Sequence, residues 1–164
     1  MSLDSPSAQT QRKPAGSKPR LLAVASGGGH WDELLILRPA FAGFDVVYVT
    51  TMAGQAERDG VDAVLVTDSN RDSGLSTSMR TAGHMLSLVR QHRPAVVLST
   101  GAMPGLLAVL FGKLFGARTV WLDSVANAEQ LSMSGKLAAR FVDLHLTQWP
   151  HLATKKTKYL GSIL

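Results

Sequence analysis

Three glycines flanked by a serine and a histidine, Ser26-Gly27-Gly28-Gly29-His30, form the first segment whose residue types suit chemistry. An apolar segment precedes them and leucines at helical spacing follow, which predicts a strand, a turn and a helix. Glycines allow a ligand to approach the backbone, and the helix would direct its N–H groups at an anion or a polar sugar. The same glycines would also suit a tight turn without a ligand. Asp32 stands where a dinucleotide motif has its third glycine, which argues against a dinucleotide site.

Three further side chains near predicted strand ends could carry out proton transfer or bind a sugar. His30 and Glu33 lie three residues apart, on one side of the predicted helix. His30 could act as a general base or bind a hydroxyl, and Glu33 could simply favour the helix dipole. Asp123, followed by Ser124, could accept a hydroxyl proton, hold a sugar, or cap the next segment. The residues leave open whether Asp123 or His30 is the catalytic base.

Apolar segments that alternate with amphipathic ones must position these residues. Strands are predicted at 21–25, 46–49, 63–66, 95–98, 119–122 and 144–147, the last being the final strand. Helices are predicted from residue 31, from Ser76 or Thr77 as the cap to about 91, and at about 104–115 and 135–141. This alternation is typical of an α/β, doubly wound parallel sheet, whose ligands bind at the carboxyl ends of the strands. Residues 1–19 predict a disordered basic tail, and residues 20–164 a single domain.

Composition excludes several classes of protein. The chain has no cysteine, which excludes disulfides and thiolate metal sites. Its formal charge of +5 lies at the two ends, a pattern that suits anionic lipid headgroups or solubility and argues against nucleic-acid binding. Lysine, arginine and glycines interrupt the apolar stretch 103–122, so no membrane-spanning helix is predicted. The segment 132–136 lacks the glycine spacing of a P-loop, which argues against an NTPase.

The order of several motifs resembles the asparagine-linked glycosylation protein 14 family. The motifs are Ser26-Gly27-Gly28-Gly29-His30 with Glu33, Leu131-Ser132-Met133-Ser134-Gly135-Lys136, Asp143, Gln148-Trp149-Pro150 and Tyr159-Leu160-Gly161. The resemblance implies the Rossmann-like N-terminal half of a divided, inverting GT-B glycosyltransferase, distantly similar to the MurG type. A separate subunit would bind the UDP-sugar donor, and the acceptor would be a polyprenyl-diphosphate-linked saccharide. Bacterial relatives serve exopolysaccharide and capsule assembly, and no cofactor or obligatory metal is implied.

The expected site follows from these motifs and from the predicted strand ends. We expect Asp123 and His30 to be catalytic. Substrate or phosphate binding is expected of Gly27, Gly28, Gly29, Glu33, Thr100, Gly101, Ser124, Ser132 and Lys136, and partner binding of Trp149, Tyr159, Leu160 and Gly161. Asn127 stands where the family commonly has a basic residue, so a different cation, Lys136 or Arg38, would have to bind the diphosphate.

The expected localisation is the cytoplasmic face of a membrane, to which the protein would attach peripherally. Two alternatives remain open. The chain could be a non-catalytic docking subunit that recruits and activates its UDP-sugar-binding partner at the membrane. It could also be a small nucleotide- or NAD-binding Rossmann protein that acts alone, which the imperfect glycine spacing disfavours.

Overall fold

A computed structural model describes residues 17–68 and 74–163 as one seven-stranded parallel sheet. Its strands are β1 (Arg20–Val24), β2 (Asp45–Thr50), β3 (Ala63–Leu65), β4 (Val96–Ser99), β5 (Arg118–Leu122), β6 (Leu144–Thr147) and β7 (Thr157–Tyr159). Their order is β3-β2-β1-β4-β5-β6-β7. The helices are α1 (Gly29–Ile36), α2 (Gln55–Arg58), α3 (Leu75–His92), α4 (Ala102–Leu114) and α5 (Met133–Ala138), with 3-10 turns at Arg38–Phe41 and Pro150–Leu152. The predicted α/β, doubly wound architecture is confirmed.

The sheet is covered by helices on both faces, which explains why its strands are continuously apolar. Leu22 and Val24 of β1 belong to the core beneath α3, α4 and α5. Leu21 and Ala23 point to the opposite face and pack with Trp31 of α1. The Trp31 indole N–H donates to Asp59 Oδ2 across 2.8 Å and so fixes α1 to the end of α2. Successive residues of one strand therefore serve two cores.

Glycines bring α4 unusually close to the sheet. A Cβ at Gly112 would lie 2.5 Å from Val97 Cγ2, and one at Gly105 would overlap the Ser99 hydroxyl. Contacts this short do not occur between real side chains, so α4 can pack at this depth only with glycine at these positions. The close approach sets the first turn of α4 at the carboxyl edge of β4.

Several element boundaries differ from the sequence-based expectations. β7 follows β6, so the prediction that 144–147 is the final strand is wrong; the three residues of β7 lack an apolar run. Gly74, rather than Ser76 or Thr77, precedes α3. α5 begins at Met133 because Ser132 accepts a hydrogen bond from Gly135 N across 2.8 Å and caps the helix there.

Two further expectations concern the N-terminal tail and the absence of a membrane-spanning helix. The predicted tail, 1–19, lies outside the described residues except for 17–19. No helix within 17–68 or 74–163 is long and apolar enough to cross a membrane.

Candidate functional site

A cavity of about 520 Å³ opens at the carboxyl edge of the sheet, where the loops after β1, β3, β4 and β5 meet the start of α5. It is lined by Ser26, Gly29, His30, Asp68, Ala102, Met103, Ser124, Ala126, Asn127, Ser132, Met133 and Ser134. Within the described residues, His30 and Asp68 are the only ionisable side chains of this lining. The cavity therefore combines hydroxyl and amide groups with one imidazole and one carboxylate.

The glycine turn is held by the segment after β2 and by the first residue of α2. Thr51 Oγ1 accepts a hydrogen bond from Gly27 N across 3.1 Å, and Gln55 Oε1 accepts one from Gly28 N across 3.2 Å. A Cβ at Gly27 would lie 2.5 Å from Met52 Cβ, and Gly28 has a φ of 71°. Both positions therefore require glycine, for space and for conformation respectively. No side chain caps α1, and its first residue, Gly29, faces the cavity.

The His30 ring packs against the backbone of Gly101 at the start of α4. A Cβ at Gly101 would lie 2.6 Å from His30 Nδ1, and this glycine has a φ of 150°. Thr100 Oγ1 donates to the His30 carbonyl oxygen across 2.7 Å, while His30 Nδ1 is buried and has no hydrogen-bond partner among the described groups. The predicted residues His30, Thr100 and Gly101 thus lie together, and His30 alone of the three lines the cavity.

The Asp123 carboxylate is buried and fully engaged by donors. Its Oδ1 accepts from Ser132 Oγ across 2.6 Å and from Trp121 Nε1 across 3.1 Å, and its Oδ2 accepts from Ser132 N across 2.9 Å. Asp123 is only 1% exposed and does not line the cavity. Its observed role is to fix the loop before α5, which brings Ser132 to the cavity wall. A catalytic role for Asp123 stays a prediction.

Glu33 is likewise turned inward rather than toward the cavity. It accepts hydrogen bonds from Ser124 Oγ across 2.6 Å, Val125 N across 3.1 Å and Gln148 Nε2 across 3.2 Å. Buried carboxylates need such donors because desolvation is costly. Glu33 therefore ties α1 to the loop after β5, and its predicted contact with substrate would have to act through Ser124, which does line the cavity.

Gln148 joins this network to the C-terminal segment. Its Nε2 donates to Glu33 and to the Asp123 carbonyl oxygen, and its Oε1 accepts from Ser162 Oγ and Ile163 N. All four distances lie between 3.2 and 3.3 Å, and the residue is 3% exposed. Gln148 belongs to a motif of the sequence resemblance, but its bridging role depends on tertiary contacts and has no sequence signal.

The loop 124–128, which contributes Asn127 to the cavity, is held from a second side by the turn after β6. Trp149 Nε1 donates to the Val125 carbonyl oxygen across 2.8 Å, and His151 Nε2 contacts the Ala128 carbonyl oxygen across 2.7 Å. The indole N–H of Trp149, a predicted partner-binding residue, is thus engaged within the chain.

The remaining predicted residues lie away from the cavity. Lys136 donates to Gln130 and lines a separate cavity of about 520 Å³ between α5 and the segment before β7. That second cavity is basic: its lining is Leu131, Lys136, Ala139, Arg140, Thr154, Lys155, Lys156 and Thr157. Arg38 lies in the exposed 3-10 turn. Neither of the two cations suggested for the diphosphate faces the main cavity.

An apolar groove of about 200 Å³ accounts for two of the predicted partner-binding residues. Leu160 and Gly161 line it together with Leu37, which follows α1, and with side chains of the strands beside α1. Those sheet residues are Leu98, Val120, Leu122, Leu146 and Thr147. Tyr159 belongs to β7 and is exposed, as is Leu160.

Two ionisable groups outside the cavity have perturbed pKa values. Lys113 and Thr119 donate to Asp143 and lower the pKa of its carboxyl to about 2. His145 is buried beneath α5, where its Nε2 contacts the Gly135 carbonyl oxygen across 2.9 Å, and burial lowers its pKa. Within 17–68 and 74–163, no group of three or more His, Asp or Glu side chains could hold a metal ion.

Sequence reasoning missed Asp68, Met103, Ser134 and the bridging Gln148 and Gln55. Asp68 does follow a predicted strand, so its position at the carboxyl edge had a signal, and only its exposure to the cavity was hidden. Ser134 lies in the motif 131–136. Gln55 lies in the short helix α2, which has no hydrophobic periodicity that would predict it.

Solved structures of two larger proteins contain the same fold. MurG of Acinetobacter baumannii superposes with a TM-score of 0.69 at 12% identity, over 86% of this chain and 45% of MurG. UDP-N-acetylglucosamine 2-epimerase of Rickettsia bellii superposes with a TM-score of 0.67 at 13% identity, over 89% of this chain and 45% of the epimerase. The chain thus spans less than half the length of these proteins. At such identities the likeness establishes the Rossmann-like fold of one GT-B half.

Sequence comparisons give the family. Residues 61–163 match the family described as oligosaccharide biosynthesis protein Alg14 like. "UDP-N-acetylglucosamine transferase subunit ALG14" of Yarrowia lipolytica is 24% identical, over 93% of this chain and 84% of its own. The human protein of that name is 24% identical, over 88% of this chain and 82% of its own. The match covers well over half of the sequence, and the chain therefore belongs to the Alg14-like family of oligosaccharide biosynthesis proteins.

Proposed function

We propose that this chain is the acceptor-side subunit of a heteromeric, inverting glycosyltransferase of the hexosyltransferase type, inactive without its partner. The enzyme would transfer a sugar from a UDP-sugar to a polyprenyl-diphosphate-linked saccharide. One observation carries the proposal: the relatives matched over more than four-fifths of their length are named as UDP-N-acetylglucosamine transferase subunits. The likeness to one half of MurG adds support, because two such halves would enclose a cleft.

The main cavity suits the polar part of such an acceptor. Neither α1 nor α4 has a side-chain cap, and both begin at its wall, so N–H groups and the positive dipole ends of two helices favour an anion there. Ser124 and Ser132 present hydroxyl oxygens to the cavity as acceptors, because their protons are donated to Glu33 and Asp123. Gly27, Gly28, Thr100 and Gly101 adjoin this lining in the chain and would act through their backbone. No lysine or arginine lines the described cavity, so the diphosphate would be bound by neutral donors or by a cation of the partner.

The reaction would be a single displacement. The acceptor hydroxyl oxygen attacks the anomeric carbon, UDP departs from the opposite face, and a base takes the hydroxyl proton. Of the two bases expected from the sequence, His30 lines the cavity and Asp123 does not. The donor to assay first is UDP-N-acetylglucosamine, which the names of the relatives contain.

The partner would dock at the C-terminal segment. Leu160 is 77% exposed and borders the apolar groove, so an apolar segment of the partner could bury both. Tyr159 and Gly161 adjoin it, and Gln148 links the segment to the loop of Ser124.

Membrane attachment at the cytoplasmic face would use α5 and the basic cavity beside it. Met133 and Leu137 are exposed on this helix, and Lys136 and Arg140 lie beside them. Apolar side chains flanked by cations suit a membrane surface with anionic headgroups. Met133 also lines the main cavity, which would place the site next to a lipid-anchored acceptor.

Reconstitution tests the proposal. The chain, co-purified with its UDP-sugar-binding partner, is expected to transfer labelled N-acetylglucosamine to a polyprenyl-diphosphate sugar, and neither subunit is expected to do so alone. A His30→Ala variant, with complex formation checked by gel filtration, is expected to lose turnover. Unchanged turnover in the His30→Ala, Asp123→Ala and Asp68→Asn complexes alike would instead favour a docking subunit without catalytic residues.

A further inference from the structure

Among the carboxylates that the described residues bring near the carboxyl edge of the sheet, Asp123 and Glu33 are already engaged within the fold. Both oxygens of Asp123 accept hydrogen bonds within the chain. Both oxygens of Glu33 do as well, and each residue is at most 3% exposed. A general base must reach the proton that it removes, directly or through one water. Asp68 is the carboxylate of the described chain that borders the main cavity.

The backbone that leads to Asp68 is held in place, and the Asp68 side chain lines the cavity. The segment after β3 continues alongside β2, because Val66 N donates to the Thr50 carbonyl oxygen across 2.9 Å. Thr81 of α3, which is fully buried, donates its hydroxyl to the Thr67 carbonyl oxygen across 3.0 Å. The backbone immediately before Asp68 is therefore held from the sheet and from α3.

His30 is poorly arranged to take up a proton. An imidazolium donates from both ring nitrogens, and each N–H needs an acceptor when buried. Nδ1 of His30 is buried without a partner in the described structure, and the ring is packed against Gly101. Within the described residues no acceptor therefore stands at Nδ1 to orient the ring as a base, whereas a carboxylate at the cavity wall needs no such partner.

We propose that Asp68 is the general base of the transfer, an inference that rests on the glycosyltransferase function proposed above. A carboxylate oxygen of Asp68 accepts the proton of the acceptor hydroxyl as that oxygen bonds to the anomeric carbon. The bond between the anomeric carbon and the diphosphate oxygen breaks, and its electron pair leaves with UDP. His30 lines the same cavity and would help to bind the acceptor.

The test compares Asp68→Asn with Asp62→Asn in the complex with the partner. Asn keeps the size of the side chain and cannot act as a base. Asp62 is an exposed carboxylate just before β3, so its replacement controls for charge and for strand stability. Loss of a general base lowers kcat by about 100-fold to 10,000-fold. We expect that loss in Asp68→Asn with the acceptor KM nearly unchanged, and wild-type kinetics in Asp62→Asn.

A rescue experiment separates base catalysis from structural damage. The Asp68→Ala complex leaves room for formate, which is expected to restore turnover in a concentration-dependent manner while leaving Asp62→Asn unaffected. A kcat of Asp68→Asn within about threefold of the control, or an increase in acceptor KM at constant kcat, overturns the assignment. If the folded wild-type complex transfers no sugar from any UDP-sugar, the proposed function fails and the base assignment fails with it.

Discussion

Replacing Gln148 by glutamate tests the buried network that joins α1, the loop after β5 and the C-terminal segment. The Nε2 of Gln148 donates to Glu33 Oε2 across 3.2 Å, and both residues are 3% exposed. Gln148→Glu substitutes an oxygen for this nitrogen with almost no change of shape. The donor is lost, and a second carboxylate lies beside the first in a buried site.

The expected loss in the free energy of unfolding follows from two alternative costs, charge repulsion and protonation. Two carboxylates this close repel by about 5 kcal/mol at an effective dielectric constant of about 20. Protonating one of them at about pH 7 costs about 3.7 kcal/mol, from a reference pKa of about 4.3 and about 1.4 kcal/mol per pH unit. Protonation is the cheaper outcome, so the pKa of the introduced carboxyl rises and the free energy of unfolding falls by about 3 to 4 kcal/mol.

The sign of the pH dependence distinguishes this cause from ordinary loss of packing. The folded variant binds a proton that the unfolded chain does not hold at neutral pH, so stability is regained as the pH falls toward about 4.3. Urea unfolding followed by circular dichroism at several pH values measures the difference from wild type. Gln91→Glu, at an exposed position of α3, is the control and is expected to change stability by less than about 0.5 kcal/mol. A loss below about 1 kcal/mol near neutral pH, or a loss independent of pH, would refute the reasoning.

Three further predictions concern separate parts of the fold. The pKa of Asp143 is lowered to about 2, chiefly by the Lys113 hydrogen bond, so its contribution to stability is present above pH ~4 and is lost as the pH falls toward 2. Asp143→Asn should therefore reduce the fall in melting temperature between pH ~4 and 2. The same fall in the variant as in the wild type would contradict this. Gly101→Ala should displace the His30 ring and destabilise the fold by about 1 to 3 kcal/mol, measured by urea unfolding, whereas wild-type stability and turnover would argue against the observed contact. Ala102 has a φ of 65°, so Ala102→Gly should relieve about 1 kcal/mol of backbone strain and raise the melting temperature, and a lower melting temperature would count against that strain.

The sequence predicted the fold where apolar runs are long and failed where they are short. Six strands and the four longer helical segments follow from periodicity and glycine punctuation. β7 consists of Thr157, Lys158 and Tyr159, and α2 has only four residues. Neither is long enough to show a hydrophobic pattern that distinguishes it from a loop. The cap at Ser132 was visible as a polar turn, but the start of α5 depended on its bond to Gly135.

The site was predictable to the level of the sheet edge and no further. His30, Ser124 and Ser132 line the cavity because strand ends and glycine turns converge there. The roles of Glu33 and Asp123 were not predictable, because the sequence does not show whether a carboxylate in a helix or after a strand faces solvent or buried donors. Those donors come from Gln148 and Ser132, residues that only the tertiary fold brings near.

The three tryptophans make intrinsic fluorescence a probe of the region around the site. Each indole N–H donates to a group that supports the cavity: Trp31 to Asp59, Trp121 to Asp123 and Trp149 to the Val125 carbonyl oxygen. Trp31 and Trp121 are fully buried, while Trp149 is half-buried beside the loop 124–128. Emission from Trp149 can therefore shift when this loop moves, while the other two rings provide a constant background. Binding of acceptor or partner can be followed by fluorescence without any label.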